Sequence, residues 1–241
     1  MTAMDQPDTI AERTAGLPTQ WESRWLIALV FIGITLRLLV LLFRGDELNT
    51  DPDVYVGIAR TIVDGSGLCV PGSNRPTAFR PPVYPLLLAG LNLTGLKMTQ
   101  AAGLINLVSG VVVIMGTWWM ARAMGLVGKW PVLAAAAAAL DPLLLRYSVL
   151  PMTESISAGL LTVAMLQILK LLSEQAASAT TPRMKTAIVA GICFGLAGLC
   201  RPVSLVTCAA VTLTLLLAAI RPRRRTTREH TDADPGGRDR R

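Results

Sequence analysis

The residues best suited to chemistry stand in one short run, Thr50-Asp51-Pro52-Asp53-Val54-Tyr55, directly after a long apolar segment. Carboxylates held against a bilayer are costly to desolvate, so their presence calls for a reason, either reaction or helix capping. Asp51 suits a general base, because a fixed carboxylate within hydrogen-bond reach of a hydroxyl can take its proton as that oxygen attacks. Asp53 suits a metal ligand, with Asp51 or Glu154 beside it, for a divalent cation such as magnesium or manganese. The plainer reading makes Asp51 an N-cap with Pro52 at the first helical position, and Asp53 an acid favoured by the helix dipole. Arg80 and Arg201 carry positive charge that can hold an anionic group. Arg201 at an interface also has a snorkelling role, Glu154 one at the start of a helix, and Arg37 inside an apolar segment requires a partner or a wet cavity. Tyr55 and Tyr84 read as interfacial anchors, and Asp141 with Arg146 as a pair along one helix.

These residues have to be positioned by a membrane protein. The chain has 241 residues, 52% hydrophobic and 16% charged, with a mean hydropathy of +0.50. Several apolar runs approach or exceed the roughly 18 residues needed to cross a hydrocarbon core. The four cysteines, Cys69, Cys193, Cys200 and Cys208, show no metal-binding spacing, and the one histidine, His230, lies in a charged tail. A zinc site and a Ser-His-Asp triad are therefore disfavoured. The net charge of +7 is concentrated at the C-terminus, where residues 221–241 hold eight arginines against four acids, 8 − 4 = +4. A basic run after a membrane helix sets topology, and nucleic acid is not the expected partner.

The pattern predicts an all-α membrane fold, a polytopic bundle of about six transmembrane helices with a long outer loop carrying amphipathic interfacial helices. Residues 1–24 read as a disordered cytoplasmic lead, 25–220 as the membrane module, and 221–241 as a basic cytoplasmic tail. The spans are Trp25–Phe43, Ala101–Met120, Pro131–Leu150, Ser155–Leu172, Thr186–Leu199 and Val203–Ile220. Within the outer loop, 44–100, the stripe Tyr55, Ile58, Ala59, Ile62, Val63 predicts a helix lying on the membrane surface and stopping at Gly65. Val83–Leu96 is too short to span and reads as interfacial or re-entrant. Lysines and arginines of the short connections then fall inside, which puts both termini in the cytoplasm. That orientation places Asp51, Asp53, Arg80, Glu154 and Arg201 on one outer side.

The ordered set of features over about residues 25–220 resembles the N-terminal module of the GT-C superfamily of integral-membrane glycosyltransferases, the protein O-mannosyltransferase and aminoarabinose-transferase-like enzymes. It comprises Arg37 in the first span, Asp51 four before Tyr55, then Ala59, Gly65 and Gly67. Arg80-Pro81-Pro82-Val83-Tyr84-Pro85 leads the short apolar helix, Asn106 comes early in the next span, and Pro142 and Glu154 bracket a turn. Gly195-Leu196-Ala197-Gly198-Leu199-Cys200-Arg201-Pro202 closes the set. The resemblance implies inverting transfer of a sugar from a polyprenyl-phosphate donor to an outer-face acceptor. It implies Asp51 as base or cation holder, and substrate contacts from Arg37, Tyr55, Arg80, Glu154 and Arg201. It also implies a cell-envelope location in a bacterial inner membrane. Related enzymes commonly carry further spans, so two alternatives stand beside it. One is a non-catalytic subunit that binds lipid-linked saccharide; the other is an assembly in which a partner subunit supplies further transmembrane helices.

Overall fold

The computed structural model describes residues 19–73, 75–174 and 181–220, and every regular element among them is helical. Most of the lead expected at 1–24, and the basic tail, lie outside the described residues. In chain order the helices are α1 (Gln20–Arg44), α2 (Tyr55–Val63), α3 (Val83–Leu93), α4 (Met98–Ala123), α5 (Lys129–Leu140), α6 (Pro142–Tyr147), α7 (Glu154–Glu174), α8 (Thr181–Cys200) and α9 (Ser204–Ile220). A 3-10 turn, Gly45–Asn49, extends α1.

Among the described residues three helical segments are long and apolar enough to cross a membrane: Gln20–Asn49, Met98–Ala123 and Glu154–Leu172. Shorter apolar helices run over Val83–Leu93, Lys129–Leu140, Met184–Cys200 and Ser204–Leu217. The first helix begins earlier than its apolar run because Thr19 and Glu22 form a capping box, Glu22 N–H donating to Thr19 Oγ1 at 3.3 Å and Thr19 N–H to Glu22 Oε2 at 3.0 Å. Arg122 of α4 donates to the same Glu22 oxygen at 2.7 Å, which ties the start of α1 to the end of α4. Those two helices are antiparallel neighbours.

The expected span Pro131–Leu150 is broken. Asp141 leaves the helical conformation, its side chain accepts from Leu144 N–H at 2.8 Å, and Pro142 restarts the chain as α6. Proline at a first helical position with an acidic cap before it is a start signal, so the run divides there. Asp141 and Arg146 consequently do not pair; Arg146 pairs with Glu47 of the 3-10 turn.

Two apolar cores hold the bundle. One joins Leu29, Ile114, Trp118, Ala135 and Ala139, from α1, α4 and α5. The other joins Leu48, Tyr55, Tyr84, Leu88, Ala101 and Ile105, from the 3-10 turn, α2, α3 and α4. Helix α3 contributes Tyr84, Leu88 and Ala89 to this second core, with Leu91 packed on it. Its 11 residues span about 16 Å, well short of the ~30 Å of a hydrocarbon core. All five tryptophans, Trp21, Trp25, Trp118, Trp119 and Trp130, belong to the end at which Glu22 meets Arg122.

Candidate functional site

The polar residues of the loop and the helix ends gather over the second core. Asp51 does cap α2, at a greater separation than an ordinary N-cap. Its Oδ1 accepts from Val56 N–H at 3.1 Å and its Oδ2 from Gly57 N–H at 2.7 Å. The helix starts at Tyr55 and not at Pro52, because Asp51–Val54 closes a turn, Val54 N–H donating to Asp51 C=O at 3.1 Å. Val54 then takes a left-handed φ of 64° to enter the helix, a conformation unfavourable for a β-branched residue. The two charge-assisted bonds from Asp51 offset that strain.

Asp53 is held by Arg80. The guanidinium donates from Nη2 to Asp53 Oδ1 at 2.6 Å and from Nε to Asp53 C=O at 2.9 Å. Arg80 also lies over two rings, 4.7 Å from the centroid of Phe79 and 5.5 Å from that of Tyr55. Tyr55 packs edge-on against Tyr84, centroids 5.3 Å apart. Both tyrosines are buried, which corrects their reading as interfacial anchors. The α2 stripe turns Tyr55 into the core where α2 folds onto α3, which contributes Tyr84. Burial raises the Tyr55 phenol above its ordinary value, opposed by its hydrogen bond to Thr153 and by the Arg80 charge. Burial likewise raises Tyr84, and the nearby negative charges of Asp51 and Glu154 add to the effect.

Glu154, the first residue of α7, receives Arg201 Nη1 on Oε1 at 2.9 Å. Its other oxygen, Oε2, is buried with no hydrogen-bond partner, as is the Tyr84 hydroxyl. Beside this pair, Ser157 and Ser204 share a hydrogen bond at 2.7 Å that fixes the start of α9 on α7. Asn106 positions the turn before Glu154: its Nδ2 donates to the carbonyls of Tyr147, Ser148 and Leu150 at 3.1, 3.2 and 2.8 Å. Below Glu154, an apolar groove of about 370 Å³ runs between α3, α4 and α7, lined by Leu91, Leu104, Val108, Ile156, Gly159 and Val163 among others.

The structure therefore brings together Asp51, Asp53, Tyr55, Arg80, Glu154 and Arg201. Arg37 stands apart. It is 1% exposed, donates to Gly33 C=O at 3.0 Å, and lies flat on Gly110, where a Cβ would collide with its Nε. Its Nε and Nη2 have no hydrogen-bond partner. Thr153 and Tyr84 join the site unannounced: Thr153 has no motif of its own, whereas the place of Tyr84 behind Arg80-Pro81-Pro82 was a usable signal.

No family model, no curated protein and no solved structure matches this chain. The functional reading rests on these residues. Their chemistry does not fit a resident divalent cation: Asp51 is engaged by two amides, Asp53 by Arg80 and one Glu154 oxygen by Arg201. Among the described residues no three His, Cys, Asp or Glu side chains stand close enough together to hold one ion.

Proposed function

We propose that this chain is a membrane glycosyltransferase acting at the outer face on a polyprenyl-phosphate sugar, with the prenyl chain lying in the groove between α3, α4 and α7. The observation that carries this is the pair of buried, unpartnered polar atoms, Glu154 Oε2 and the Tyr84 hydroxyl, carried by α7 and α3, two of the helices that wall that apolar groove. An unsatisfied buried polar group costs about 1–3 kcal/mol, and a bound ligand that bonds to both would recover it. In the reaction, the acceptor oxygen forms a bond to the anomeric carbon and its proton passes to a carboxylate. The bond from that carbon to the phosphate oxygen breaks, and polyprenyl phosphate leaves with the electron pair. Arg201 and Arg80 supply positive charge for the leaving phosphate. No step is routed through a metal.

Two carboxylates are candidates for the base. Asp51 has both oxygens occupied by the α2 amides, so its geometry is that of a cap. Glu154 has a free oxygen, and we assign the proton transfer to it. Six spans, both termini inside and a bacterial inner membrane complete this reading, supported by the distribution of lysine and arginine. The deciding experiment is transfer from a radiolabelled polyprenyl-phosphate sugar by purified protein. Glu154→Gln should abolish transfer with the fold intact, whereas Asp51→Asn should lower activity only as far as it loosens α2. Full activity in Glu154→Gln would refute the assignment.

A second reading is binding of the lipid-linked saccharide without turnover. It is favoured by the engaged state of Asp51, Asp53, Arg80 and Arg201, each of which already holds a protein partner. Saturable binding with no released polyprenyl phosphate would establish it in place of the first.

A further inference from the structure

Phe79 is 73% exposed at the edge of the cluster, yet it is firmly held. Its amide donates to Thr77 Oγ1 at 3.1 Å, and its ring rests on the Arg80 guanidinium, 4.7 Å from centroid to Cζ. That guanidinium is fixed in turn by its two bonds to Asp53 and by the Tyr55 ring on another side. Single exposed apolar residues are ordinary on protein surfaces. A ring anchored through a cation that is itself anchored to a carboxylate is pre-organised, which reduces the ordering cost of binding.

We propose that Phe79, backed by Arg80 and Asp53, is a stacking platform for a pyranose ring. A pyranose presents an apolar face of C–H groups and a rim of hydroxyls. Phe79 offers the open aromatic face, and the side chains of Arg80 and Asp53, 26% and 27% exposed, offer a donor and an acceptor beside it. The same features disfavour insertion of Phe79 into lipid, because the ring would draw a contacting ion pair out of water at a large desolvation cost. The proposal rests on the transferase reading only for which sugar is held, that of the donor or that of the acceptor. The stacking itself needs no turnover.

The native tryptophans lie at the far end of the molecule, so Phe79→Trp places an indole beside the site with no other tryptophan nearby, and excitation at the red edge spares Tyr55 and Tyr84. The difference in emission between this variant and the parent chain, in nanodiscs, is read against methyl hexopyranosides and methyl pentopyranosides. A saturable millimolar response to at least one pyranoside is expected, together with no response to glucitol, which has the hydroxyls but no ring. Adding Arg80→Gln should weaken the response about tenfold, as expected for loss of roughly 1.4 kcal/mol. Absence of a response to every pyranoside overturns the proposal, as does quenching of the indole by bromine-labelled lipid tails, which would place the ring in the bilayer. Kinetics separate the two sources. Phe79→Ala raising the acceptor KM alone assigns the acceptor sugar, and raising the donor KM alone assigns the donor sugar. If the parent chain transfers nothing, the transferase reading fails while the pyranoside response still decides the platform.

Discussion

At the scale of single residues, the cluster concentrates cost in two atoms, Glu154 Oε2 and the Tyr84 hydroxyl. Removing a buried hydroxyl that has no protein partner takes little from the folded state, since only an unmade bond is lost. Tyr84→Phe should therefore keep or slightly raise thermal stability in detergent while weakening binding of a polyprenyl-phosphate sugar about tenfold, measured by equilibrium binding. Unchanged affinity would dissociate Tyr84 from the ligand. The variant also assigns an alkaline titration. Below about pH 10 the phenols are neutral in both folded and unfolded chains, so they make no pH-dependent contribution. Above it the unfolded chain ionises Tyr55 and Tyr84 first, because burial raises both in the fold. Their contribution to stability is thus lost as pH rises, and near-ultraviolet absorbance should show late tyrosinate signal that shrinks in Tyr84→Phe. The acids and arginines of this site were legible as residue types, but their pairings were not. Arg80 reaches Asp53 across a separation of 27 residues, and Arg146 chooses Glu47 over Asp141. Such choices depend on packing that no local spacing encodes.

Among the elements, the helical segments and the shortness of α3 followed from apolar run lengths, although the helix stops at Leu93, short of the expected Leu96, because Gly95 takes a φ of 97°. The division of the third apolar run was less visible, because six successive alanines conceal any change of face. Pro142 and its acidic neighbour carried the signal, and their force as a helix start outweighed the continuity of the apolar run. That break matters for the site, since it creates α6 and the turn that presents Thr153 and Glu154. Asn106 secures the turn by serving three carbonyls at once. Asn106→Ala leaves those acceptors unserved and should cost about 1–3 kcal/mol. Thermal unfolding in detergent measures the loss, and hydrogen exchange across residues 148–153 should accelerate more than elsewhere. Uniform acceleration would mean that Asn106 supports the bundle generally and not this turn.

For the molecule as a whole, the two cores divide the bundle into a tryptophan-rich half and a half that carries the polar cluster. The proposed orientation turns the second half outward. Ser73→Cys, introduced after the four native cysteines are replaced by alanine, should react with a membrane-impermeant maleimide on intact cells. Thr227→Cys in the same background should react only after permeabilisation; the reverse pattern would invert the topology and remove the site from the outer face. Arg37 adds a constraint on biogenesis. A guanidinium at the centre of an inserting helix costs about 2.5–3.5 kcal/mol, and less toward an end; Arg37 stands in the last third of α1, and its resting place against Gly110 exists only once α4 has been synthesised. Docking of α1 on α4 therefore gives this guanidinium a protein surface in place of lipid, which favours the two segments settling into the bilayer as a pair.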